Sequence, residues 1–154
     1  MTIRTILVPT DFSQSSTLAL DAAKDLAQKF QAALHLLHVV QDPLSQSWAL
    51  ESYGTMPADL LKDLEQMARK DLDKALPEAE RPAHKARLIT EVGAPFGKII
   101  DYAKAHDVDL IVMGTHGRGV LAHAILGSVA ERVVRKASCP VLTVRQAQHQ
   151  FVPP

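Results

Sequence analysis

The sequence predicts an α/β protein: one parallel sheet with helices on both faces. Two observations predict it. Short apolar, β-branched runs alternate with helical stretches along the 154 residues, and strand–helix–strand repetition of this kind builds parallel sheets. In addition, residues 112–134 (VMGTHGRGVLAHAILGSVAERVV) pass from an apolar run through several glycines into a helical pattern. A strand that ends in glycine and resumes as a helix presents backbone N–H groups and a helix dipole to an anion. That points to a nucleotide or another phosphate-bearing ligand.

The elements follow in order. Thr5–Pro9 (TILVP) reads as a buried strand closed by Pro9. Leu18, Ala22, Leu26 and Phe30 recur every four residues, so a helix of about four turns follows. Ser13, Ser15 or Ser16 is placed to cap it. Ala33–Val40 (ALHLLHVV) is the second strand. Residues 41–56 carry Pro43, Trp48, Tyr53 and Gly54 and are irregular. Loops of this length are often functional, so the segment reads either as a lid or partner surface anchored by its aromatics, or as a plain connection. Leu60, Leu61, Leu64, Met67, Leu72 and Leu76 mark the second helix, stopped by Pro77. Residues 86–92 form the third strand, and Pro95 after Gly93-Ala94 suits the first turn of the third helix. That helix has Phe96, Ile99, Ile100 and Ala103 on its apolar face. Residues 110–113 are the fourth strand, and Val141–Val144 the fifth. Between them Val129, Ala130, Val133, Val134 and Ala137 give the fourth helix its face, with Ser128 and Glu131 matching the S-x-x-E capping box. The tail, residues 146–154, is expected to fray.

Composition sets the outer limits. The length suits a single domain with one core. Apolar residues make up 47% and charged residues 22%, with 17 basic and 17 acidic side chains cancelling. A neutral chain carries no global argument for nucleic acid or an anionic membrane as partner. The single cysteine excludes an internal disulfide and a cysteine cluster for zinc, and beside Pro140 it reads as a small buried hydrophobe. No apolar run approaches the roughly 20 residues of a membrane span. The start lacks the pattern of a signal peptide, so the expected location is cytoplasmic.

Parallel sheets of this kind bind ligands at the carboxyl ends of strands, where the strand order reverses. Three segments converge there: Pro9-Thr10-Asp11 after the first strand, Val39-Val40 at the end of the second, and the glycines after the fourth.

With these residues the chain resembles the universal stress protein family, over roughly residues 3–145. The specific part is that family's nucleotide-binding pattern of Gly, two residues, Gly, nine residues, Gly, then Ser or Thr. Gly114, Gly117, Gly127 and Ser128 match it without departure. ILVPTDFS, LHLLHVV, GAPFGKII and CPVLTVR are similar to the family's flanking sequence. The resemblance implies a domain over residues 1–145 with a five-stranded sheet in the order 3-2-1-4-5, of the Rossmann-like kind seen in adenine nucleotide alpha hydrolases. It implies ATP in the crevice, with Mg or Mn bridging the phosphates, and a homodimer formed through Val141, Leu142, Thr143 and Val144. Carried over by motif, Pro9 and Asp11 lie beside adenine and ribose, and Val39 offers backbone groups to the adenine. Gly114, Thr115, His116, Gly117, Arg118 and Gly119 wrap the ribose and phosphates. Gly127, Ser128 and Val129 receive the phosphate tail.

Each of these residues also has a plain structural reading. The glycines serve turns, Ser128 caps a helix, Asp11 caps the first helix instead of meeting a ribose hydroxyl, and Arg118 is a solvated cation. His123 reads as a surface residue. His35 and His38, three apart in a strand, face opposite sides of the sheet and form no two-histidine metal site. No GxxxxGK[ST] sequence occurs, and no nucleophile–base pair assembles from local motifs. The expected function is therefore an ATP-binding regulatory or stress-response module with an unknown protein partner, at most a weak ATPase. An adenylate-cleaving enzyme and a chaperone-like module merely stabilised by nucleotide are the alternatives.

Overall fold

The computed structural model describes residues 2–41, 58–115 and 126–145. The loop expected at 41–56 falls, Gln41 apart, outside the described residues with Trp48 and Tyr53. So do His116, Gly117, Arg118, Gly119, His123 and the tail at 146–154.

All five expected strands form: β1 (Thr5–Pro9), β2 (Ala33–Val40), β3 (Arg87–Val92), β4 (Leu110–Gly114) and β5 (Val141–Val144). They pair in parallel in the order β3-β2-β1-β4-β5, as the resemblance implies. Among the described residues four helices connect them: α1 (Gln14–Phe30), α2 (Ala58–Ala75), α3 (Pro95–Ala105) and α4 (Ser128–Lys136). Two short 3₁₀ turns, Glu78–Glu80 and Pro82–His84, sit between α2 and β3 and leave no trace in the apolar pattern.

Strand alternation divides the core in two. Ile6, Val8, Leu34, Leu36, Leu110 and Val112 face α1 and α2. Leu7, Leu37, Val39, Ile111 and Met113 face α3 and α4. Central strands buried on both faces explain why they read as continuous apolar runs instead of alternating ones.

Ser13 caps α1: its Oγ accepts from the Ser16 N–H at 3.3 Å. Ser13→Ala should cost about 1 kcal/mol, read as a lower urea midpoint. An unchanged midpoint would show that water replaces the cap fully.

The buried face of α1 differs from the expected stripe. Ser16, Ala19, Leu20, Ala23 and Ala27 are buried, whereas Leu18, Ala22 and Leu26 lie at the flank and Phe30 is exposed. Small residues let the helix axis approach β1 and β4 closely, so alanines rather than leucines mark the contact. On α2, Leu60 and Met67 are exposed and Ala68 and Leu72 are buried. On α4, Val134 is exposed, and only Ala130 and Val133 are buried.

The cap of α4 is a correction. Gly127, in an extended conformation, is the N-cap and makes no side-chain cap bond, so Ser128 is the first helical residue. The Gly127 N–H donates to the Thr115 carbonyl at 2.6 Å, and its own carbonyl accepts from Glu131 N–H at 2.9 Å. Glu131 pairs instead with Arg135 at 3.0 Å, one turn on. Tethering Gly127 to β4 starts the helix one residue earlier than the S-x-x-E pattern implies.

Candidate functional site

β1 leads into α1 on one face of the sheet, while α4, the helix after β4, packs on the other. The two strands pair only through Ile6–Leu110 and Leu7–Ile111. Pairing stops short of both carboxyl ends, at the point where the strand order reverses and where sheets of this kind have their ligand crevice.

One wall is the loop after β1. Thr10 is buried, and its N–H extends the pairing by donating to Leu37 O at 2.8 Å. Its hydroxyl donates to Ser16 Oγ at 3.1 Å and accepts from the Phe12 N–H at 3.0 Å. Its carbonyl accepts from His38 Nδ1 at 2.8 Å, which requires the proton of that ring to sit on Nδ1. The Phe12 ring lies 4.5 Å from the His38 ring, centre to centre. Phe12 holds φ at 63°, a left-handed conformation uncommon for a bulky residue. Thr10 and His38 over-determine the loop and keep it there. The sequence places Thr10 in a converging segment but gives it no role of its own. The only signal for it is a small hydroxyl residue between a strand-ending proline and an aspartate.

Asp11 follows with its Oδ1 accepting from the Ser13 N–H at 3.0 Å. It therefore supports the start of α1 without being its cap, a role Ser13 takes. Asp11 is half-buried, at the mouth of the crevice.

The floor comes from β2. Pro9, buried, is in register with Leu37, the last β2 residue paired to β1, while β2 continues pairing with β3 out to Val40. Val39 thus lies beyond the end of β1, its side chain buried in the α3–α4 half of the core. The backbone there faces the crevice on its β1 side.

The far wall comes from β4 and α4. Gly114 is in register with Val144, and the Thr115 N–H donates to Val144 O at 3.0 Å. The Thr115–Gly127 bond then brings the first turn of α4 directly beyond β4. Both ends of the glycine pattern meet here. Ser128 is exposed and Val129 half-buried, and both belong to the first turn, whose N–H groups have no acceptor within the helix. The Gly127 N–H is already engaged, so the donors this turn presents are those of Ser128, Val129 and Ala130, with the Ser128 hydroxyl.

Gly114 has a further reason to be glycine. A Cβ there would collide with Ser15 Oγ and lie 2.8 and 2.9 Å from the Ser15 carbonyl carbon and oxygen. The end of β4 backs onto the first turn of α1, which the spacing pattern alone does not reveal.

Electrostatics favour an anion. α1, α3 and α4 all point their amino ends at this edge of the sheet; α1 and α3 carry no acidic residue in the first turn, and the one in α4, Glu131, is paired with Arg135. Arg132, one turn into α4, rests 4.0 Å above the Phe96 ring at the start of α3. Cys139, half-buried with its thiol pushed up by burial, is a packed residue beside the α3–α4 core. His35 and His38 do face opposite sides: His35 is buried toward α3, and His38 bonds to the Thr10 loop. Among the described residues no group of three or more His, Cys, Asp or Glu is placed to hold a metal ion. No helix among them is long and apolar enough to cross a membrane.

A doubly wound α/β protein whose strand order reverses between its first and fourth strands is thus defined. The profile of the Universal stress protein family matches residues 2–145. Universal stress protein MJ0531 of Methanocaldococcus jannaschii is 36% identical over 151 residues, covering 94% of this chain and 84% of that protein. The structure of the universal stress protein UspA from Lactobacillus plantarum is 31% identical, covers 94% of this chain and 99% of its own, and has a TM-score of 0.80. A universal stress protein solved in complex with cAMP is 27% identical, covers 96% of this chain and all of its own (100%), and has a TM-score of 0.70. The chain belongs to the universal stress protein family.

Proposed function

We propose that this protein binds ATP in the crevice and acts as a nucleotide-dependent regulatory module of the stress response. The observation that carries this reading is the hydrogen bond from the Gly127 N–H to the Thr115 carbonyl at 2.6 Å. It sets an uncapped helix start beside the ends of β1 and β4. The relative solved with cAMP supports an adenine nucleotide as the class of ligand.

In this reading Pro9 and the Val39 backbone flank the adenine, and Asp11 accepts from a ribose hydroxyl. Gly114 and Thr115 lead into the wrapping segment with His116, Gly117, Arg118 and Gly119. The Ser128 and Val129 N–H groups take the terminal phosphates, with Mg or Mn bridging them. Binding favours one arrangement of the segment between Thr115 and Gly127, which a protein partner reads. We place the domain at residues 1–145, with 146–154 a tail outside it, and the protein in the cytoplasm.

The test is direct. The protein is purified without added nucleotide and denatured, and the released material is identified by chromatography, with Mg-ATP titrated by calorimetry alongside. ATP near one per chain, or saturable binding of Mg-ATP, is the expected result. Recovered ADP or AMP would favour the adenylate-cleaving alternative. No release and no binding would overturn the nucleotide reading.

We also propose a homodimer through Val141, Leu142, Thr143 and Val144. β5 is an edge strand, Leu142 is 41% exposed and Val134 47%, and an exposed apolar edge invites pairing. Leu142→Glu should convert a dimer to monomer in sedimentation. A variant that remains dimeric would move the interface elsewhere.

A further inference from the structure

At the amino-terminal end of the sheet, away from the crevice, three ring side chains cluster, with His35 edge-on to the other two. His35, the third residue of β2, is 6% exposed, and Tyr102, in the last part of α3, is 8% exposed. The Tyr102 hydroxyl lies 3.1 Å from His35 Nδ1. His106, the C-cap of α3, completes the group, its ring 4.1 Å from that of Tyr102 and 6.2 Å from that of His35, the latter edge-on. The nucleotide reading uses none of them.

The surroundings accept a neutral His35 and oppose a charged one. A neutral ring with its proton on Nε2 accepts a hydrogen bond from the Tyr102 hydroxyl at Nδ1. A charged ring has no acceptor there, so the phenol must turn and accept instead. In register with His35 stand Leu7 on β1, without charge, and Arg87 on β3, a cation on the same face. α3 contributes Tyr102 and His106. Glu91, farther along β3 on that face, is paired with Lys98 at 3.2 Å. Burial first, then Arg87 and His106, hold the His35 imidazole below its ordinary pKa. Burial likewise raises that of the Tyr102 phenol, which stays protonated and able to donate.

We propose that His35, Tyr102 and His106 form a proton-sensitive latch, which holds the last turns of α3 on β2 and β3 at neutral pH and releases them on acidification. In the unfolded or opened segment His35 titrates near its ordinary value of about 6.5. With the folded value lowered, the opened state binds more protons between the two. The latch is therefore at full strength above about pH 6.5, weakens as pH falls through that window, and levels off below the folded pKa.

The full chain is followed by imidazole proton NMR across pH, and by hydrogen exchange at pH 7.5 and 5.5 corrected for intrinsic rates. The expected result is that the 99–106 segment loses protection on acidification while β1 and β4 keep theirs. His35→Gln should abolish that selective loss. Tyr102→Phe keeps the ring and removes the hydroxyl that partners His35 in both charge states, so the difference between the two pH values should change from that of the wild type. It decides the matter if His35→Gln does not fold. Equal loss in α3, β1 and β4, a His35 that titrates at its ordinary value, or a selective loss unchanged in Tyr102→Phe would overturn the latch.

Discussion

Gly114→Ala should destabilise the protein by about 1–3 kcal/mol, the usual range for forcing a methyl into filled space, although alanine is an ordinary residue for the end of a strand. The new Cβ would lie within 3 Å of the carbonyl carbon and oxygen of Ser15 (2.8 and 2.9 Å) as well as against its hydroxyl. A side chain can rotate away, but a carbonyl in the first turn of a helix moves only with the helix. Ser15→Ala should therefore rescue little, since it removes the hydroxyl and leaves the backbone in place. Urea unfolding of the two single variants and the double variant checks this. A Gly114→Ala midpoint equal to wild type would mean that the start of α1 yields freely. Because Ser13, Ser16 and Thr10 hold that start to the loop carrying Asp11, nucleotide affinity should fall together with stability.

Gly127→Asp should separate the two properties. The extended conformation of Gly127 (φ −69°, ψ 154°) suits any N-cap residue. An aspartate there caps α4 and meets the positive end of its dipole, so stability should hold or rise by a few tenths of a kcal/mol. The same carboxylate would take up the N–H groups assigned to phosphate and repel the phosphate itself. Two unit charges about 4 Å apart interact by about 4 kcal/mol at an effective dielectric of about 20. Halved for exposure, that remains about a thirtyfold loss of affinity. Thermal melting and calorimetry on one preparation give both numbers. A stable variant that binds ATP as wild type does would place the phosphates away from α4. A variant that melts lower would show that the Thr115–Gly127 junction tolerates no side chain.

The strand ends that frame the candidate site were legible because strand and helix periods differ and because glycine, proline and serine punctuate them. The ends of β1, β2 and β4 follow directly from Pro9, Val40 and Gly114. What stayed hidden involves contacts between residues distant in sequence. The S-x-x-E match at Ser128 is a local pattern, and it yields to the bond that Thr115 makes with Gly127. The leucine stripe of α1 is a local pattern too, and it yields to an alanine face because closeness to β4 counts for more than apolar area. Thr10, with one hydroxyl serving both Phe12 and Ser16, carries no period at all.

Alternating apolar runs, their lengths and the glycine spacing were enough to specify the fold class and the strands. Those properties depend on local conformational preference and on which residues avoid water, both written along the chain. The tertiary structure alone decided why Gly114 must lack a side chain, which N–H groups α4 has left to offer, and that His35 meets Tyr102 and His106. Each depends on atoms brought together from separate elements, and packing geometry, not sequence period, sets those distances.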